Sequence, residues 1–175
     1  GLMPALRVLD LSECGLTSWA QTMYFADTEL ESLALNHNCI PEISIVEEDR
    51  PFQCLQSLAI SGNPIESWTS VDVLNLLRNL KNLRFSNTPL TNSVGTSEAR
   101  LTLIGRVLNL ESLNASAVSA KERVESEKAY LRRIMITSAK DQTMSASDIT
   151  AVHPRFEQLQ ELYRDSMPGF GPGGA

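Results

Sequence analysis

Few residues of this sequence belong to the types that carry out chemistry. The 175 residues include two histidines, His37 and His153, and no H-x-x-x-H pair, Gly-rich phosphate loop or G-x-S-x-G motif accompanies them. The three cysteines, Cys14, Cys39 and Cys54, lack the close C-x₂-C spacing of a zinc site. We therefore expect no catalytic residues, no cofactor and no metal, and we predict that the protein is not an enzyme.

Composition restricts the remaining classes of function. An odd number of cysteines without a signal peptide indicates a reducing, cytoplasmic location with buried structural thiols. A net charge of −6 argues against nucleic-acid binding, and no apolar run is long enough to span a membrane. Residues 1–50 hold nine acidic and two basic residues, which form either a solvated face or a surface that attracts a basic partner.

The 24 leucines recur in a pattern, and this pattern indicates which elements make up the protein. The motif L-x-x-L-x-L-x-x-N/C-x-L begins at Leu6, Leu30, Leu55 and Leu80, and a decayed copy begins at Leu110. Successive copies start 24, 25, 25 and 30 residues apart. Four matches in register are typical of leucine-rich repeats.

Each position of the repeat has a physical role. The L-x-L core forms a short strand whose leucines point to one face and stack on the next repeat, because no single repeat can bury its own apolar edge. Asn38 and Asn63 then satisfy backbone groups that the following turn leaves unpaired. The pattern predicts an α/β fold, a right-handed leucine-rich-repeat solenoid with parallel strands on the concave face and helices or irregular turns on the convex face.

The segments differ enough in composition to predict a domain organisation. A capping box, Ser119-x-x-Glu122, begins a helix with a charged outer face, as the end of a solenoid requires. The predicted organisation is about five repeats over 1–118, a helical cap over 119–137, a polar linker over 138–150, a short helix over 151–164 and a disordered tail over 165–175. The first repeat starts at Leu6 without a cap, so we expect the chain to be a fragment whose flanking domains are missing.

The side chains between the strand leucines project onto the concave face, which is the usual binding surface of such repeats. They are small and neutral apart from Asp10 and Arg84, and small side chains allow a partner to approach closely. The predicted partner-binding residues are Asp10, Ser12, Asn36, His37, Asn82, Arg84 and Asn114. Two alternatives stay open: the repeats only space neighbouring domains, and His37 is a plain exposed turn residue.

Several motifs also follow one another in a specific order. They are Ser61-Gly62-Asn63-Pro64, Glu98-Ala99-Arg100, Leu110-Glu111-Ser112-Leu113-Asn114, Ser119-Ala120-Lys121-Glu122-Arg123, Glu127-Lys128-Ala129-Tyr130 and His153-Pro154-Arg155-Phe156. This order resembles the leucine-rich-repeat region of tubulin-folding cofactor E, a tubulin-specific chaperone, over roughly residues 55–164. The cap followed by His-Pro-Arg-aromatic is the most discriminating part.

The resemblance implies a function that the repeats alone do not. It implies a protein-binding module that engages α-tubulin or the cofactors C and D during assembly or disassembly of the tubulin heterodimer. It also implies a CAP-Gly domain before the repeats and a ubiquitin-like domain after them. The alternative is a spacer or scaffold domain of another intracellular protein, of the splicing-ribonucleoprotein or phosphatase-regulator type.

Overall fold

The computed structural model describes residues 5–167, and these residues form two compact units. The first unit contains the chain up to Ala99 together with Val107–Val118. The second contains Arg100–Arg106 and the chain from Ser119 onward. The repeats therefore make up most of the first unit.

One mixed sheet with the strand order β1-β2-β3-β4-β5-β6 organises the first unit. Its strands are β1 (Val8–Asp10), β2 (Ser32–Ala34), β3 (Ser57–Ala59), β4 (Asn82–Arg84), β5 (Ser112–Leu113) and β6 (Ser116–Ala117). The strands β1 to β5 pair in parallel, and β6 pairs antiparallel with β5. The predicted α/β fold with short parallel strands is confirmed.

The register of the sheet places the same repeat position of each strand side by side. Leu9 pairs with Leu33, Leu33 with Leu58, Leu58 with Leu83, and Leu83 with Leu113. From β2 to β5 these central leucines are at most 1% exposed, whereas Leu9 of the edge strand is half-buried. The leucine spacing thus sets the register, because a slip of one residue would turn every leucine out of the core.

Two buried asparagines hold the turns that follow β2 and β3, as the sequence predicts. Asn38 Oδ1 accepts hydrogen bonds from the amides of Cys14 and Leu16, and its Nδ2 donates to the carbonyls of Leu11 and Leu35. One repeat later Asn63 Oδ1 accepts from the Ile40 amide, and its Nδ2 donates to the carbonyls of Leu35 and Ile60. Each side chain therefore ties its own turn to the repeat before it.

Short helical segments connect the strands. The 3₁₀ helices are Trp19–Phe25, Glu47–Asp49 and Val73–Leu76, and the α-helices are α1 (Thr69–Asp72), α2 (Pro89–Asn92) and α3 (Thr96–Arg106). In the fourth repeat Thr88 occupies the asparagine position, and it caps α2 instead: its Oγ1 accepts from the Thr91 amide. Trp19 is 3% exposed and packs edge-on against Phe52, with ring centroids 5.9 Å apart.

The second unit is helical. Beyond the end of α3 it contains α4 (Ala120–Lys140), α5 (Ala146–Val152) and α6 (Phe156–Tyr163). The apolar side chains of α4 and α6 form its core, with Tyr130, Leu131, Ile134, Phe156, Leu159, Tyr163 and Met167 all buried. Gly105 of α3 packs closely against α4: a Cβ at this position would lie 2.7 Å from the Tyr130 side chain, so a larger residue would clash.

Three expectations about the C-terminal half and the cysteines differ from the structure. Residues 138–150 are not a simple linker: α4 continues to Lys140, and Ser145 caps α5 by accepting from the Asp148 amide. Met167 belongs to the core, since it is 3% exposed, while the tail expected beyond it lies outside the described residues. The thiols of Cys14, Cys39 and Cys54 are exposed and not buried.

None of the helices within residues 5–167 combines the length and apolar character needed to cross a bilayer.

Candidate protein-binding surface

The face of the sheet opposite the buried leucines carries the side chains expected to bind a partner. Val8 and Asp10 of β1 flank Leu9, and the corresponding residues flank the central leucine of each later strand. These flanking residues are half-buried or exposed, because side chains alternate between the two faces of a strand. We call this surface the strand face.

Pairing in register arranges the strand face into rows that run across the strands. A serine row consists of Ser32, Ser57, Asn82 and Ser112, and a central row consists of Asp10, Ala34, Ala59 and Arg84. A distal row, two residues beyond the central row in each repeat, consists of Ser12, Asn36, Ser61 and Ser86. Backbone bonds such as Leu11 N to Ala34 O and Glu13 N to Asn36 O continue the parallel ladder through the distal row.

Hydrogen bonds between neighbouring side chains link the serine row. Asn82 Nδ2 donates to Ser57 Oγ at 3.0 Å, and Ser112 Oγ donates to Asn82 Oδ1 at 2.9 Å. Both ends of the Asn82 amide are thus engaged within the sheet. The predicted binding residue Asn82 therefore holds this row together, and its amide has little freedom to reorient toward a partner.

The distal row is linked in a similar way. Ser12 Oγ accepts from the Asn36 amide at 3.1 Å, and Asn36 Oδ1 accepts from the Ser61 amide at 2.9 Å. Ser61 Oγ accepts from both the amide and the hydroxyl of Ser86. Ser12 and Asn36 are consequently fixed in place by the next repeat, which makes the row a rigid edge of the strand face.

The central row carries the two charges of the strand face. Asp10 and Arg84 are exposed, while Ala34 and Ala59 lie half-buried between them. The backbone amide of Ser12 donates to Asp10 Oδ1 at 2.9 Å, and this bond, with a second one to the Ser12 side chain, lowers the pKa of Asp10. Asp10 is therefore an anion at neutral pH.

The two remaining predicted binding residues are not part of these rows. His37 has a positive φ of 55° in the turn after β2, and its ring lies so close to Gly62 that a Cβ there would be 2.3 Å from Nδ1. Asn114 also has a positive φ, 51°, and its Oδ1 accepts from the Phe85 amide at 2.8 Å. The chain reverses into the β5–β6 hairpin at this point, so the Asn114 side chain ties the turn to the backbone of the preceding repeat, and the strand face ends at Ser112.

Sequence reasoning missed a second group of polar residues, which lies inside the second unit. Glu127 on α4 and Arg155 at the start of α6 are buried and form an ion pair of 2.6 Å. Arg155 also donates to the Gly105 carbonyl at 2.6 Å, and Tyr163 donates to Glu127 at 2.8 Å. Burial, followed by the bond to Glu127, raises the pKa of Tyr163 to about 12. The sequence did not predict this pair, because a Glu on a helix rich in charged residues usually faces solvent.

His153 lies in the same unit and contacts two donors. Tyr130 Oη and Arg106 Nη2 lie 2.6 and 3.2 Å from His153 Nδ1. An arginine cannot accept a hydrogen bond, so Nδ1 is the acceptor and the imidazole is neutral, with its proton on Nε2. Burial, with the nearby Arg106 cation, lowers the pKa of His153 to about 4. The motif His153-Pro154-Arg155 thus anchors α6, and it lies in the other unit from the strand face.

Curated proteins match the sequence over nearly its whole length. Tubulin-folding cofactor E of Arabidopsis thaliana is 30% identical over 96% of the chain, and the human tubulin-specific chaperone cofactor E-like protein is 26% identical over 90%. The chain resembles tubulin-folding cofactor E. It spans only 34% and 38% of the lengths of these two relatives, and tubulin-specific chaperone E of Bos taurus, 27% identical, is matched over 33% of its length. The resemblance to cofactor E predicted from the motifs is confirmed.

Solved structures extend the comparison from sequence to fold. The crystal structure of the Drosophila melanogaster SNF/U2A′ complex contains a chain that matches with a TM-score of 0.59 at 20% identity, over 73% of this chain and 70% of that one. The Mex67 LRR domain from Chaetomium thermophilum matches with a TM-score of 0.50 at 18% identity, over 67% and 87%. The fold is therefore that of leucine-rich-repeat proteins. No family model matches the chain.

Proposed function

We propose that this chain is a non-enzymatic, protein-binding leucine-rich-repeat module of a tubulin-folding chaperone. The observation that carries the proposal is the similarity to cofactor E and cofactor E-like proteins over 88–96% of the chain. The proposed partners are α-tubulin and the tubulin-folding cofactors C and D. The module would engage them during assembly or disassembly of the tubulin heterodimer.

The architecture supports a binding role for the first unit. Strands paired in register, with the central leucines stacked from β1 to β5, are what a right-handed solenoid requires, and we include that solenoid in the proposal. The strand face is the candidate surface, because its side chains are short and held in fixed positions. The prediction that the helix beginning at Ser119 caps the repeats stays a prediction.

Direct binding to purified αβ-tubulin and to cofactors C and D tests the proposal. The double variant Asp10→Lys with Arg84→Glu keeps the net charge but reverses both charges of the central row. We expect it to weaken binding at least tenfold relative to the unchanged chain. The matched control is Glu66→Lys with Arg132→Glu, a reversal of two exposed charges that are not part of the strand face, which should bind normally.

Two outcomes would overturn the proposal. The first is a chain that binds neither tubulin nor either cofactor at micromolar concentration. The second is equal binding by the central-row variant and its control, which would exclude the central row as the binding surface. Melting curves of both variants check that each one is folded.

A further inference from the structure

The two charges of the strand face stand in one line. Asp10, Ala34, Ala59 and Arg84 pair in register, so Asp10 and Arg84 lie three strand spacings apart, or about 14 Å. Between them Ala34 and Ala59 contribute to a shallow depression of about 260 Å³ that reaches Arg84. The central row therefore has an anion at one end and a cation at the other, and the depression that it lines together with the serine row reaches the cation.

The serine row lines the same depression, the distal row follows on the other side of the central row, and both rows offer a partner few free hydrogen-bonding groups. The serine and distal rows are four residues apart along each strand, which is about 13 Å in extended backbone. Asn82 is bonded to Ser57 and Ser112, and the side chains of Ser12 and Asn36 accept hydrogen bonds from the backbone of the next repeat. A partner segment that binds here must therefore satisfy its own backbone N–H and C=O groups internally.

An α-helix meets that requirement, and an extended segment does not. A helix satisfies its backbone groups internally, whereas an extended segment laid on the face of a sheet, and not along its edge, finds no ladder to join. The diameter of a helix, about 10–12 Å with side chains, also matches the separation of the serine and distal rows. At about 1.5 Å per residue, three turns of helix span the distance from Asp10 to Arg84.

We infer that the central row binds one α-helix of a partner protein, with a Lys or Arg placed over Asp10 and an Asp or Glu about three turns away placed over Arg84. The partner residues between these two are small, because Ala34 and Ala59 leave room for the close approach of a backbone. The inference rests on the proposed function in that it uses the same strand face. It adds the class of the bound segment and the order of its charges.

A peptide selection without tubulin tests this inference separately. The probe is a displayed library of 18-residue peptides that carry Lys, Glu or Ala at positions three turns apart on one helical face, with half of the library interrupted by a central proline. Against the unchanged chain we expect at least tenfold enrichment of uninterrupted peptides with one basic and one acidic end.

Single charge reversals give the sharpest comparison. Asp10→Lys makes both ends of the row positive and should select peptides with two acidic ends, while Arg84→Glu should select peptides with two basic ends. Glu66→Lys and Arg132→Glu change the net charge equally, off the strand face, and should keep the preference of the unchanged chain. Asp10→Asn retains the oxygen that caps the Ser12 amide, so loss of the basic preference in this variant reports on charge and not on folding.

The inference is overturned if the two reversals and their controls select the same charges, or if proline-containing peptides are enriched as strongly as helical ones. If the selection succeeds and tubulin does not bind, the proposed function alone fails. If tubulin binds and the selection shows no charge order, this inference alone fails.

Discussion

Glu127 and Arg155 meet at 2.6 Å in the second unit, with 5% and 7% of their side chains exposed. Arg123 approaches the same carboxylate at 3.6 Å, so one buried anion faces two cations. The pair connects α4 with the start of α6, and the apolar core of α4 and α6 lies beside it.

Neutralising Glu127 should destabilise this unit strongly. Glu127→Gln leaves Arg155 buried without its counter-ion, and breaking a buried pair in this way costs about 3–5 kcal/mol. Urea unfolding followed by circular dichroism measures the loss. Glu125→Gln on the exposed side of the same helix is the control and should change stability by less than about 0.5 kcal/mol. A loss below 1 kcal/mol at Glu127 would contradict the structural role of the pair.

Stability should fall in acid because of His153. Its pKa in the folded protein, about 4, is below the ordinary value of 6.5, so the unfolded chain binds the proton more tightly. The stability that the neutral His153 contributes to the folded protein is therefore fully present above pH 6.5 and is lost as the pH falls toward 4. For a half-buried group we expect a loss of about 1–2 kcal/mol after allowing for solvent screening. Urea unfolding at a series of pH values should show this slope, and His153→Asn, which retains an acceptor for Tyr130, should remove it. An unchanged slope in the variant would assign the effect to another group.

Gly62 should not tolerate a side chain. Its φ is +72°, and a Cβ would lie 2.3 Å from the imidazole of His37. Gly62→Ala is expected to cost about 1–3 kcal/mol, part from the left-handed backbone and part from the clash. Combining it with His37→Ala should recover the part that is due to the clash, which thermal unfolding of the single and double variants can separate. Simple additivity of the two changes would mean that the ring does not lie on Gly62.

Truncation of strand leucines should be costly in the middle of the sheet and milder at its edge. Leu58→Ala removes a side chain that is 1% exposed and should cost about 2–5 kcal/mol. Leu9 pairs in the same register but is half-buried, so Leu9→Ala should cost less than half as much. Chemical unfolding of both variants gives the comparison. Equal losses would show that β1 is packed as tightly as β3.

The leucine spacing predicts the parallel sheet because the repeat is a property of the sequence itself. Leu33, Leu58 and Leu83 recur at one interval, and only stacking in register buries all three. Asn38 and Asn63 are predictable for the same reason, since a buried polar side chain at a fixed place in each repeat must bond to the turn. The fifth repeat is less regular, and its reversal at Asn114 and Ala115 depends on positive φ values that neither residue type requires.

The buried ion pair and the extent of the C-terminal helices could not be predicted from local patterns. Glu127 and Arg155 are 28 residues apart, and nothing in their spacing indicates that they meet. Ser145 precedes a polar segment that becomes helical through its capping box, and Met167 follows a helix whose core it completes. On the strand face, the sequence identifies Ser12, Asn36 and Asn82 as candidates for binding, but only the register shows that each of these side chains bonds to a neighbouring repeat.

The linked rows on either side of Ala34 and Ala59 have a thermodynamic consequence for recognition. Side chains such as Asn36 and Asn82 have already lost their rotational freedom in the unbound protein, so binding of a partner does not have to immobilise them. Calorimetry of any complex formed there should accordingly show a small entropic loss on the side of the repeats. Affinity would then depend on how rigid the incoming segment is before it arrives.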